Sequence, residues 1–142
     1  MKNPKIQFYL YLILIIMGSS IHSSSMPKVG FLIWDKLLHV FEYMFFGILG
    51  FRAFRRKKDQ TQFFKISLIL FVILFGCLDE YWQSFIPGRT PSLYDIVADG
   101  IGVSIGVLIS SIFYYIEGIW SVLLSNLIKI FDNIIIVGGM AN

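Results

Sequence analysis

Four long apolar runs, each ended by a polar cluster, set the pattern of this chain. The first runs from Ile6 to Ile21, behind Lys2 and Lys5. The second covers Lys36 to Phe54 and stops at Arg55-Arg56-Lys57-Lys58. The third extends from Phe63 to Trp82, and the fourth from Leu93 to Tyr115. A hydrocarbon core about 30 Å thick is crossed by roughly 20 mostly apolar helical residues. The pattern therefore predicts an all-α membrane protein with about four transmembrane helices in a compact bundle. Between the third and fourth runs lies Ser84 to Ser92, whose Pro87 and Pro91 cannot continue a helix. The first run is short. Gly18-Ser19-Ser20, followed by Ser23-Ser24-Ser25, fits a signal-peptide cleavage region as well as the end of an uncleaved helix.

Beyond Tyr115 the pattern changes. From Glu117 to Val137 the polar residues Ser121, Ser125, Asn126, Lys129, Asp132 and Asn133 recur at spacings of three, four and seven, which is one helical stripe. A separate amphipathic helix lying in the inner interface fits this tail, and a fifth span is the alternative. The whole chain, 1–142, reads as one domain, with its polar motifs in 35–106 and the end of span four plus the tail in 107–142.

Composition and charge sharpen that picture. Hydrophobic residues make up 56% and charged residues 15% of the 142 residues, against about a quarter charged in soluble domains. So small a soluble chain cannot hide that much apolar surface. Five of the twelve basic residues fall between Arg52 and Lys58. Such a cluster marks a cytoplasmic loop rather than a nucleic-acid surface. With Lys2 and Lys5 it places the amino terminus inside and the loops after spans one and three outside. The expected location is the cell membrane, multi-pass. The one cysteine, Cys77, sits in an apolar run and reads as a buried small hydrophobe.

The acids carry the candidate chemistry. Asp35, Glu42, Asp79, Glu80, Asp95 and Asp99 all fall at the predicted outer ends of the spans. Ionisable groups in a spanning helix are costly and face the bundle interior. On span two, Asp35, His39, Glu42 and Tyr43 share one face, and on span three Asp79 and Gln83 are one turn apart with Glu80 beside them. Span four presents Asp95, Asp99, Gly102 and Gly106 as a stripe whose glycines suit close helix packing. The expectation is a polar network of these acids with Lys36, His39 and Arg89. Because acids outnumber those cations, either a carboxyl stays protonated or a cation binds. Blander readings stand beside this one. Asp35-Lys36 fits a plain helix start, His39 a hydrogen-bonded core histidine, His22 and its serines a solvated loop, and Tyr81-Trp82 an interfacial aromatic belt.

Taken in order, these residues resemble the VanZ-like family, named after an accessory teicoplanin-resistance protein. The matching elements are Asp35-Lys36-x-x-His39-x-x-x-Tyr43 and Asp79-Glu80-x-x-Gln83-x-Phe85. They continue through Pro87-Gly88-Arg89-x-x-Ser92-x-x-Asp95 and Asp95-x-x-x-Asp99-x-x-Gly102-x-x-x-Gly106. The family pattern often carries asparagine where this chain has Asp99. The resemblance implies a small multi-span protein of the cell envelope and little established chemistry.

Three functions follow as expectations. The first is a non-enzymatic envelope protein whose outer polar site, with Arg89 and Ser92, holds a lipid headgroup, a lipid-linked wall precursor or a glycopeptide. The resemblance adds lowered teicoplanin susceptibility. The second is a hydrolase or transferase acting on a lipid-linked envelope substrate, with Asp79 or Glu80 as base, His39 as proton shuttle and Arg89 as anion stabiliser. No obvious activated nucleophile supports it, and the lone Cys77 sits in an apolar run. The third is an ion-coupled transporter subunit. Membrane lipids are the expected partners, with no nucleic acid and no cofactor. Two distant histidines give no dense zinc signature, although the carboxylates suit Mg²⁺ or Ca²⁺.

Overall fold

A computed structural model describes residues 3–21, 32–55 and 62–139, with side chains for all but 32–34 and 130–139 of these. Lys2, His22, Ser23 to Ser25, Lys28 and Arg56 to Lys58 lie outside the described residues. Every regular element is helical: α1 (Pro4–Ser19), α2 (Leu32–Phe54), α3 (Gln62–Gln83) and α4 (Leu93–Gly139). Three of them, through Asp35–Phe54, Gln62–Gln83 and Leu93–Lys129, are long and apolar enough to cross a bilayer. The 16-residue α1 is about 24 Å long at 1.5 Å per residue, shorter than one crossing.

Local chemistry explains the ends. Asn3 caps α1 by accepting a hydrogen bond from the Lys5 amide at 3.0 Å, and Pro4 occupies the first turn, where its missing N–H costs nothing. Asp35 lies in the first turn of α2 and Arg52 in its last, each matching the helix dipole. After α3 the chain turns at Ile86-Pro87-Gly88-Arg89, closed by the Arg89 amide on the Ile86 carbonyl at 3.1 Å. Gly88 has φ 80°, the third position of a type II turn, where glycine is free of steric cost. Gly88→Ala should therefore destabilise the protein by about 1–2 kcal/mol, read as an earlier denaturation midpoint in detergent. An unchanged midpoint would remove the turn's need for glycine.

The first compact unit, Met1–Ser110, is built inside out relative to a soluble bundle. Its surface carries Phe41 and Phe45 from α2, Leu70 and Leu74 from α3, and Val97 and Ile101 from α4. Its interior holds Phe8, Tyr43, Phe46, Val72 and Val103 together with six polar residues. Phe46 centres an aromatic cluster, stacked on Phe8 with ring centroids 5.0 Å apart and edge-on to Phe75 at 5.2 Å. Glycines bring α4 against α2. A Cβ on Gly102 would lie 2.3 Å from the Val40 carbonyl oxygen, and one on Gly106 would lie 2.2 Å from that of Met44.

Two expectations are corrected. Cys77 is exposed. It follows Gly76 and so sits about 100° around the helix from the buried stripe of Leu68, Val72, Gly76, Asp79 and Gln83. The tail also does not start a separate helix after Tyr115, because α4 runs unbroken to Gly139. No proline interrupts that stretch, and Gly118 alone is a weak breaker. In the second unit, Ser111–Asn142, Ser121 and Ser125 donate to the Gly118 and Val122 carbonyls at 2.8 and 2.9 Å. The side chains of Asp132 and Asn133, from the expected polar stripe, lie outside the described residues.

Candidate functional site

The polar residues gather at one end of the first unit, where α2 begins, α3 ends and α4 begins. Each helix supplies them through its own periodicity. Residues 35, 39 and 42–43 fall on one face of α2, 79–80 and 83 on one face of α3, and 95 and 99 on one face of α4.

Contacts between α2 and α4 are ionic. Lys36 pairs with Asp95 of α4 and with Asp35, the latter at 2.9 Å. His39 Nδ1 lies 3.0 Å from Asp99 Oδ1, and its Nε2 lies 4.0 Å from Asp95 Oδ2. Asp99 is 1% exposed, and among the described residues His39 is the cationic group paired with it. The Tyr43 ring stacks beside His39 at 6.5 Å, and its buried hydroxyl has no partner among the described residues. Gly76 of α3 faces the same spot, since a Cβ there would meet Asp99 Oδ2 at 2.7 Å and Tyr43 Cε1 at 3.3 Å.

Around α3 the contacts are hydrogen bonds. Asp79 Oδ2 accepts from Ser19 Oγ at 2.7 Å and from Gln83 Nε2 at 3.0 Å. Glu80 Oε2 accepts from the Ser92 amide at 2.7 Å, while Oε1 is buried without a partner among the described residues. Ser92 acts through its backbone, its carbonyl accepting from the Asp95 amide at 3.0 Å. Contrary to the expectation of a network with the acids, Arg89 forms no ion pair with one among the described residues. Its Nη1 and Nη2 reach Gln83 Oε1 and the Gly18 carbonyl, both at 3.4 Å, and its Nε is buried without a partner. Glu42 is half-buried on the face it shares with His39, and its backbone carbonyl accepts from the Tyr11 hydroxyl at 3.0 Å.

Ser19 is a participant that the sequence pattern did not single out. Its neighbours suggested a cleavage region, yet it lies on the same α1 stripe as buried Phe8 and Ile15. A serine on a buried stripe was the available signal. Trp82, read as belonging to an aromatic belt, is half-exposed and donates to Ser20 Oγ at 3.0 Å.

Two openings adjoin at Asp35. A cavity of about 230 Å³ is lined by Ser19, Asp35, His39, Glu42, Asp79, Gln83 and Arg89, among others. A groove of about 690 Å³ between the first turns of α2 and α4 runs past Asp35, Lys36 and Asp95 over Leu37, Val40, Val97, Ala98 and Ile101.

The VanZ/LLP1 family model matches residues 4–114, more than three quarters of the chain. The chain belongs to the VanZ/LLP1 family. The matched region contains all twelve candidate residues from Asp35 to Asp99. It also contains Ser19, which puts α1 inside the VanZ/LLP1 domain rather than ahead of it. No curated protein and no solved structure matches the chain.

Proposed function

We propose that this VanZ-family membrane protein holds the zwitterionic, phosphate-bearing headgroup of a lipid or lipid-linked wall precursor at the outer face of the cell membrane. Lowered susceptibility to teicoplanin-type glycopeptides is the consequence we assign to that binding. The observation that carries the proposal is Arg89. Its guanidinium lines a polar cavity with no carboxylate partner among the described residues and with a spare buried Nε donor. A guanidinium so placed suits the oxygens of a phosphate, which it grips as a fork. Asp35 and Glu42, across the same cavity, suit the amine of a zwitterion. The adjoining apolar groove suits an acyl chain. Arg52 and Arg55, at the far end of α2, support an inner position for that end, and so an outer one for the site, by the positive-inside rule.

The test is retention of phosphatidylethanolamine by the purified protein, read by native mass spectrometry, with diacylglycerol as the headgroup-free comparison. Arg89→Ala should weaken retention about tenfold or more, because a charged hydrogen bond is worth about 1.5–3 kcal/mol. Equal retention of diacylglycerol, or indifference to Arg89→Ala, would sink the headgroup reading. In a teicoplanin-sensitive Gram-positive host, the wild type should raise the inhibitory concentration of teicoplanin, and Asp79→Ala and Arg89→Ala should not.

A second reading, a hydrolase or transferase acting on a lipid-linked substrate, is favoured by one observation. His39 has Nδ1 engaged by Asp99 and Nε2 turned toward Asp95, the posture of an oriented proton shuttle. Turnover of a lipid-linked pyrophosphate by the purified protein, lost in Asp99→Asn, would establish it. No turnover would leave binding as the function.

A further inference from the structure

His39, Glu80 and Asp95 come from three different helices, and each offers one ligand atom, all within 4.8 Å of one another. We propose that these three residues form a binding site for a divalent transition-metal ion, of the Zn²⁺ or Mn²⁺ class, at the head of the bundle. The proposal is independent of the headgroup that the neighbouring cavity takes.

The first argument is the posture of the histidine. With Nδ1 engaged by Asp99 at 3.0 Å, Nε2 is left facing Asp95 Oδ2 at 4.0 Å. Metal-bound histidines are held in this way, the far ring nitrogen donating to a carboxylate that fixes the tautomer and the ring. The second argument is Glu80. It is 4% exposed, one of its oxygens takes the Ser92 amide, and Oε1 is buried with no partner among the described residues. A buried carboxylate oxygen without a donor is costly, and a cation at this point supplies what it lacks. Asp95 divides its two oxygens between Lys36 and the side facing His39, so one of them remains for a metal.

Charge argues the same way. Among the described residues, six carboxylates at this end face Lys36, His39 and Arg89 as cations, in a segment meant for a low-dielectric surrounding. A divalent ion reduces that excess without protonating an acid. One nitrogen and two carboxylate oxygens suit Zn²⁺ or Mn²⁺ better than the all-oxygen shells preferred by Ca²⁺ and Mg²⁺. Bonds of about 2.0–2.1 Å put tetrahedral ligands roughly 3.4 Å apart, so the three side chains close inward slightly by rotamer adjustment. Three protein ligands leave at least one position open to water or to a ligand oxygen.

The experiment is Zn²⁺ and Mn²⁺ titration of the full chain, purified in detergent after chelation, by calorimetry and without added lipid. One Zn²⁺ or Mn²⁺ per chain should bind saturably. Asp99→Asn, which keeps all three ligands but removes the carboxylate that orients His39, should weaken affinity about 10–100-fold. Glu80→Gln and Asp95→Asn, which remove ligands, should each weaken it at least as much. Glu117→Gln should bind as the wild type does. X-ray absorption of the Zn²⁺-loaded wild type needs no variant to fold and should show an imidazole nitrogen in the shell. Absence of saturable binding, affinity unchanged by both ligand substitutions, or a shell of oxygens only would each overturn the proposal.

Discussion

Gly106→Val is expected to destabilise the protein by about 3 kcal/mol, the upper part of the range for forcing extra carbons into a packed interior. The reason is the nature of the obstacle. A Cβ at position 106 would stand 2.2 Å from the Met44 carbonyl oxygen and 3.1 Å from the Ile48 amide nitrogen. These are backbone atoms of a neighbouring helix, so no rotamer change clears them. The two helices must separate. Small residues that let backbones approach are a principal source of helix association in a bilayer, where no hydrophobic effect drives it. The comparison is Gly118→Ala, whose added Cβ meets nothing within 4 Å. That change should be neutral or slightly stabilising, by up to about 1 kcal/mol of helix propensity. Reversible denaturation in mixed micelles measures both. A Gly106→Val protein as stable as the wild type would mean that the close approach of α2 and α4 contributes nothing.

The same substitution should disturb the site at a distance. Val40 and Met44, whose carbonyls receive Gly102 and Gly106, each follow a site residue, His39 and Tyr43. Separation of α4 from α2 at this seam therefore moves His39 relative to Asp95 and Asp99. Headgroup retention should fall by more than the loss of folded protein explains.

Helical periodicity made much of this site legible in the sequence. Asp35, His39 and Tyr43 had to share a face of α2, and Asp95 and Asp99 a face of α4, because 3.6 residues make a turn. Costly charges in apolar runs had to face inward. Which partners they would choose was not legible, because pairing depends on how helices rotate against one another. Lys36 met Asp95 and His39 met Asp99, whereas Arg89 met Gln83 and the Gly18 carbonyl. The position of Arg89 follows from a turn closed through Gly88, and its direction is a product of backbone geometry rather than spacing. Ser19 escaped notice because Gly18-Ser19-Ser20 ahead of further serines reads as a cleavage region or a helix end, and only the burial of its α1 stripe distinguishes it. Cys77 was misplaced for a related reason. An apolar run in a membrane helix has no polar face to fix its phase, so residues pointing to lipid and to protein look alike. The unbroken α4 shows the limit of reading boundaries from composition: a polar stripe changes what a helix faces, but it does not end the helix.

The second large effect is expected at the His39–Asp99 pair. His39→Leu should destabilise the protein by about 3–5 kcal/mol, the usual cost of leaving one member of a buried pair without the other. Asp99 is 1% exposed and pairs with no other cation among the described residues. Asp99→Leu should cost less, because His39 keeps Asp95 at 4.0 Å as a fallback. The double variant, His39→Leu with Asp99→Leu, should recover most of the loss. The coupling energy of the cycle should then be about 1–3 kcal/mol. Additive losses would mean that the two side chains do not depend on each other, and the 3.0 Å contact would carry no energetic weight. Recovery has a further meaning, because two leucines of ordinary packing would hold the bundle as well as the ionic pair does. A bundle that folds without the pair but no longer retains a headgroup or a metal ion would place the reason for Asp99 in binding rather than in folding.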